Sequence, residues 1–201
     1  MKNRFKYFFL FTIIFVFSYN ILGLYELGDQ VHYRKFYLAI ADVNFVEAFI
    51  LAALYIDSIE PVYVFIMWIG SLLDIPKDIY VSFFNAFLAI SLIKLCELYK
   101  VKWYIILLLL SNFYLLVLFT GAERLKFAYL IIIFSLVSDK KYINNLFYLS
   151  PLAHLQSTIF LAPKVFFFLY QNNFKKISSL FRNLFLIVLF ILVFYFLKDG
   201  L

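Results

Sequence analysis

One cysteine, two histidines and a charged fraction of only 15% are what this 201-residue chain has least of, and each scarcity removes a class of function. Cys96 alone can form no internal disulfide, and inside the apolar stretch Leu92–Leu98 it reads as a small filler rather than a catalytic thiol. With His32 and His154 as the only imidazoles, no Cys/His cluster has metal-ligand spacing, so neither a dedicated metal cage nor another cofactor is expected. An average soluble chain is roughly 45–50% apolar and about 25% charged. This one is 66% hydrophobic with a mean hydropathy of +0.95. That composition excludes a soluble enzyme, a secreted disulfide scaffold, a disordered tail and a nucleic-acid-binding domain.

What is abundant is long apolar sequence. Phe5–Leu24, Trp103–Phe119 and Leu184–Leu197 hold few or no charges over lengths close to a bilayer core. The expected fold is all-α, a polytopic transmembrane helical bundle of about seven spans (six to eight), forming one integral membrane domain over residues 1–201. The net charge of +6 sits in short basic groups between apolar runs. That distribution sets orientation among membrane lipids and leaves no nucleic-acid partner to expect.

Lys2, Arg4 and Lys6 precede Phe5–Leu24, and Tyr19-Asn20-Ile21-Leu22 offers no signal-peptidase site. An uncleaved first span with a cytoplasmic N-terminus follows. Residues 25–60 then hold six of the twelve acids, Glu26, Asp29, Asp42, Glu47, Asp57 and Glu60, against Arg34 and Lys35. This is read as an outer polar loop in which Phe36–Ile56 forms an interfacial or partly inserted helix. Asp42 and Glu47 would lie about 140° apart on it, and carboxylates at mid-membrane cost on the order of 3 kcal/mol each. The basic groups Lys94/Lys100/Lys102 and Lys140/Lys141 can both be inside only if that helix spans after all, and the sequence leaves the conflict open. Further on, Pro61–Leu73, Ile79–Leu98 and Leu125–Val137 read as apolar helices, with a turn at Thr120-Gly121-Ala122-Glu123-Arg124, and Leu146–Tyr170 as a long apolar run interrupted by Pro151 and Pro163.

Ionisable groups at membrane helices are expensive, so each is a functional candidate. Arg124 and Lys126 suit a diphosphate, because guanidinium donors bind phosphate oxygens in pairs. They suit snorkelling to lipid headgroups equally well. Ser150, His154, Ser157 and Thr158 fall at helical spacing, a polar stripe in which His154 could move a proton or simply satisfy a neighbour. Asp29, His32, Tyr33 and Arg34 form a compact polar group that is otherwise an ordinary loop.

Gly28-Asp29-x3-Tyr33, Glu60-Pro61-Val62-Tyr63, Arg124-Leu125-Lys126-Phe127-Ala128 and Leu152-Ala153-His154-Leu155-Gln156-Ser157-Thr158 occur in that order. The series resembles the EpsG-like branch of the Wzy-type bacterial polysaccharide (O-antigen) polymerases. Those polymerases have more spans and a further outer loop, so by resemblance this is a short member, a truncated copy or half of a site. The resemblance implies a metal-independent glycosyltransferase-type polymerase of the bacterial inner membrane, extending undecaprenyl-diphosphate-linked repeat units for exopolysaccharide, capsule or O-antigen. It implies a chain-length regulator or export proteins as partners, Arg124 and Lys126 on the diphosphate, and His154 or Asp29 as base. His32, Tyr33, Arg34, Ser150 and Ser157 would support them. The alternative is a non-enzymatic multi-pass protein, a transporter subunit or a partner of glycan export machinery.

The charge pattern generates a topology prediction. In a Cys96→Ala background, an impermeant thiol reagent should label His32→Cys in intact cells and leave Lys140→Cys unlabelled. The opposite pattern would reverse the orientation.

Overall fold

The computed structural model describes residues 2–58 and 60–160 and divides the chain into two units, Met1–Leu155 and Gln156–Leu201. In the second unit the described residues are 156–160, the end of a 3-10 turn at Leu155–Ser157 followed by helical residues 158–160. The expected last span, Leu184–Leu197, lies outside the described residues.

The first unit is helical throughout, with no strand among the described residues. Its helices are α1 (Lys2–Leu24), α2 (Asp29–Ala39), α3 (Phe45–Ile56), α4 (Pro61–Leu72), α5 (Lys77–Leu98), α6 (Trp103–Leu110), α7 (Phe113–Thr120) and α8 (Glu123–Val137). Short turns over Lys141–Asn144, Asn145–Leu149 and Ser150–Ala153 follow. Helix α5 packs along both α1 and α8, while α2, α3 and α4 pack on one another beside them.

Two helical stretches, Arg4–Leu24 and Lys77–Leu98, are long and apolar enough to cross a membrane. The bent pairs α3 with α4 and α6 with α7 raise the number to four if each pair is one span. The described residues thus hold two to four candidate spans where hydropathy led to an expectation of about seven. Their character is that of a membrane protein. Phe5, Phe8, Phe9, Ile13 and Phe17 on α1 stay exposed, an apolar surface that suits lipid and would be a liability in water.

Three sequence expectations are corrected here. Phe36–Ile56 is not one helix: α2 ends at Ala39, and α3 begins anew after Asn44. The cause is a capping box, in which the Asn44 side chain accepts from Glu47 N at 3.0 Å and the Glu47 carboxylate accepts from Asn44 N at 3.3 Å. Glu47 therefore sits at the positive end of a helix, where a carboxylate stabilises, instead of partway along one. Residues 29–34 are not a loop but the first turns of α2. Gly28 precedes them at φ 63°, a left-handed conformation that glycine adopts without a side-chain penalty. Residues Leu146–His154 do not form a continuous helix. His154 has φ −164° and ψ 123°, extended backbone that ends the short Ser150–Ala153 turn, so the helical polar stripe does not exist as such.

The interior is polar at one point. Glu123, the first residue of α8, is fully buried. It is ion-paired with the Lys77 ammonium at the start of α5 and accepts from Gln30 Nε2 of α2 at 2.8 Å and from the Tyr63 hydroxyl of α4 at 3.2 Å. Lys77 also donates to Gln30 Oε1 at 2.8 Å. Four helices meet on this carboxylate. A second polar knot sits at the end of α7, where backbone carbonyls lack helical partners. Phe119 O accepts from Asn85 Nδ2 at 2.9 Å and from Lys126 Nζ at 3.2 Å, and Thr120 O accepts from Gln30 Nε2.

Removing one partner of a buried pair strands the other, at a cost of about 3–5 kcal/mol. Glu123→Ala should therefore sharply lower the unfolding midpoint in detergent. The double variant Glu123→Ala/Lys77→Met should recover part of the loss, because it no longer strands the Lys77 ammonium. Additive losses would show that the pair does not couple these helices.

Candidate functional site

Helix periodicity places the chemistry. On α2, Asp29, His32 and Tyr33 stand three and four residues apart and so share a face. That face, the C-terminal end of α3 (Leu54, Tyr55, Ile56 and Asp57) and Arg124 from α8 enclose a half-open cleft of about 360 Å³. Asp29, His32, Tyr55 and Asp57 are exposed in it, whereas Tyr33 is buried and Arg124 half-buried. Burial pushes the Tyr33 phenol up to about 12, although the Arg124 guanidinium draws it back, so Tyr33 remains a protonated hydroxyl at neutral pH.

Arg124 is held from behind by Glu60, the residue immediately before α4. Glu60 is buried, and its two oxygens are divided between partners. Oε2 accepts from Arg124 Nη1 at 3.3 Å and from Ser58 Oγ at 3.0 Å. Oε1 lies 2.6 Å from His154 Nδ1 and accepts from Leu155 N at 3.2 Å. Pro61 at the first position of α4 has no N–H to satisfy, which lets the chain turn into the helix directly after Glu60. One carboxylate thus couples a cleft-lining guanidinium to an imidazole thirty residues further along the chain.

The sequence-selected residues separate accordingly. Asp29, His32, Tyr33 and Arg124 come together in the cleft, and His154 joins them through Glu60. Arg34 points the other way: it pairs with Asp78 at 3.0 Å, donates to Leu22 O at 2.9 Å and lines a separate cleft between α2 and the start of α5. Lys126 is fully buried against the end of α7, so it does not stand beside Arg124 as a second cation in the cleft. Ser150 is buried and donates to Phe147 O at 2.8 Å. Ser157 lies in the Leu155–Ser157 turn. Among the described residues no three His, Cys, Asp or Glu side chains are grouped to hold a metal ion.

Sequence reasoning missed Glu60 as a contact, Asp57 and Tyr55 as cleft walls, and Glu123 with Lys77 and Gln30 as the interior anchor. Glu60-Pro61 was visible as a helix start, but nothing local pairs it with Arg124 or His154. No protein-family model, curated protein or solved structure matches this chain.

Hydrogen bonds to charged groups contribute about 1.5–3 kcal/mol each. Glu60→Ala, which deletes the acceptor for Arg124, Ser58 and Leu155 N, should destabilise the protein by about 2–4 kcal/mol, while the isosteric Glu60→Gln should cost less. Unfolding in a detergent titration measures both, and a wild-type midpoint for Glu60→Ala would remove the hub from the structure's support.

Proposed function

We propose that this chain is a glycan polymerase of the bacterial inner membrane. It extends undecaprenyl-diphosphate-linked oligosaccharide repeat units in exopolysaccharide, capsule or O-antigen synthesis. The reading includes about seven membrane crossings, a cytoplasmic N-terminus and a cleft that opens on the outer side. The observation that supports it best is the convergence of Asp29, His32 and Tyr33 from α2 with Arg124 from α8, helices far apart in the chain, on one cleft.

The chemistry needs two groups. An acceptor sugar hydroxyl attacks the anomeric carbon of the growing glycan; a carbon–oxygen bond forms there as the bond to the carrier diphosphate breaks. Asp29, exposed in the cleft, is placed to take the hydroxyl proton as base. Arg124 supplies the positive charge that stabilises the departing diphosphate, and Glu60 fixes its orientation. His154, bound to the same Glu60, supports that geometry. Lys126 has no place in this step, so the work of two cations falls to one.

A lone guanidinium holding phosphate oxygens through parallel donors is not replaceable by a point charge. Arg124→Lys should lose most polymer, whereas Lys35→Arg, on the exposed face of α2, should be nearly silent. The measurement is glycan chain length on the lipid carrier at matched protein levels. Full-length polymer from Arg124→Lys would return the chain to the non-enzymatic reading, a partner of glycan export machinery.

A further inference from the structure

The charge of the cleft limits what its sugar can carry. Asp29 and Asp57 place two carboxylates on its walls, and the cation that lines it, Arg124, already faces the Glu60 carboxylate at 3.3 Å. Neither the Asp29 nor the Asp57 carboxylate hydrogen-bonds or ion-pairs with another described residue, so both are left to meet whatever enters.

Asp57 is the more telling of the two. It ends α3 in the left-handed conformation, φ 46° and ψ 41°, with its backbone N–H donating to Ala52 O. Glycine or asparagine closes a helix this way at least as cheaply. The turn accounts for the backbone, then, but not for a negative charge. A carboxylate accepts hydrogen bonds and donates none, and it repels another anion within a few ångströms. Vicinal hydroxyls satisfy it. The exposed Tyr55 ring beside it adds an apolar surface for the C–H face of a sugar. The cleft volume, about 360 Å³, lies at the small end of ligand sites, which run to about 1,000 Å³.

We infer that this cleft takes an uncharged, hydroxyl-rich sugar and turns away sugars bearing a carboxylate or phosphate, with Asp57 setting the preference. Placing a glycan here rests on the polymerase reading; the sign of the preference does not. If a diphosphate engages Arg124, the two carboxylates face the sugar without a cation. If none does, Glu60 already offsets Arg124.

The test uses the full-length protein in lipid nanodiscs and an array of neutral oligosaccharides, matched oligosaccharides containing uronic acids, and inorganic pyrophosphate as competitor. Wild type should bind neutral members at least about tenfold better than acidic ones. Asp57→Asn should erase most of that ratio, by weakening neutral binding severalfold and admitting acidic members. Asp42→Asn, exposed outside the cleft, should leave the ratio unchanged. Equal or better binding of uronic-acid glycans by wild type, an unchanged ratio in Asp57→Asn, or no binding to any array member overturns the inference. Chain length in cells is read separately. A charge preference in vitro with unaltered glycan on gene deletion would defeat the polymerase reading and keep the cleft. Polymer loss on deletion without any charge preference would do the reverse.

Discussion

A carboxylate without water organises this protein. Glu123 is fully buried, and an ion in that position costs several kcal/mol unless its surroundings return the lost hydration. Lys77, Gln30 and Tyr63 do so, and because each belongs to a different helix, satisfying one charge sets the relation of α2, α4, α5 and α8. The helix rotates about 100° per residue, so Arg124 turns away from that interior toward the cleft. Lys126, three residues after Glu123, comes back to the inner side and meets the carbonyls at the end of α7. Three charges within four residues therefore have three different surroundings.

Glu60 repeats the device on the other side of Arg124. It lies beside a helix start and collects a guanidinium, a hydroxyl, an imidazole and a backbone N–H. Between the two carboxylates α8 is held at its first turn, through Glu123 by the Lys77–Gln30–Tyr63 cluster and through Arg124 by Glu60 behind it. The cleft inherits its shape from this clamp, since Arg124 can line it only where α8 is fixed against α2 and the end of α3. In the proposed reaction the rigidity matters: a cation stabilises a departing diphosphate best when it needs no reorganisation as charge develops.

Around this polar centre the helices have ordinary membrane chemistry. Helix α1 turns phenylalanines outward, while α5 carries Ser82 and Asn85 inward toward Ser18 and the α7 terminus. Polar side chains in such helices find partners inside the bundle because lipid offers none.

Composition and hydropathy alone determine the all-helical, membrane-bound character, since the hydrophobic run is a local property and needs no knowledge of the fold. Local chemistry also reveals α1, α5 and the start of α4 at Pro61, because hydropathy is local and a proline acts over one turn. The capping box at Asn44 and Glu47 was equally local, yet the apolar run around it hid the break. Arg124 was legible as an expensive ion and Asp29 as a member of a compact polar group. Their meeting in one cleft was not, and neither was the withdrawal of Lys126 and Arg34 from it. Those outcomes depend on helical phase and on partners such as Glu60, Asp57, Lys77 and Gln30, tens of residues away in sequence. A buried charge is satisfied by whichever side chain the packing brings to it, and packing is decided only when all the helices are in place.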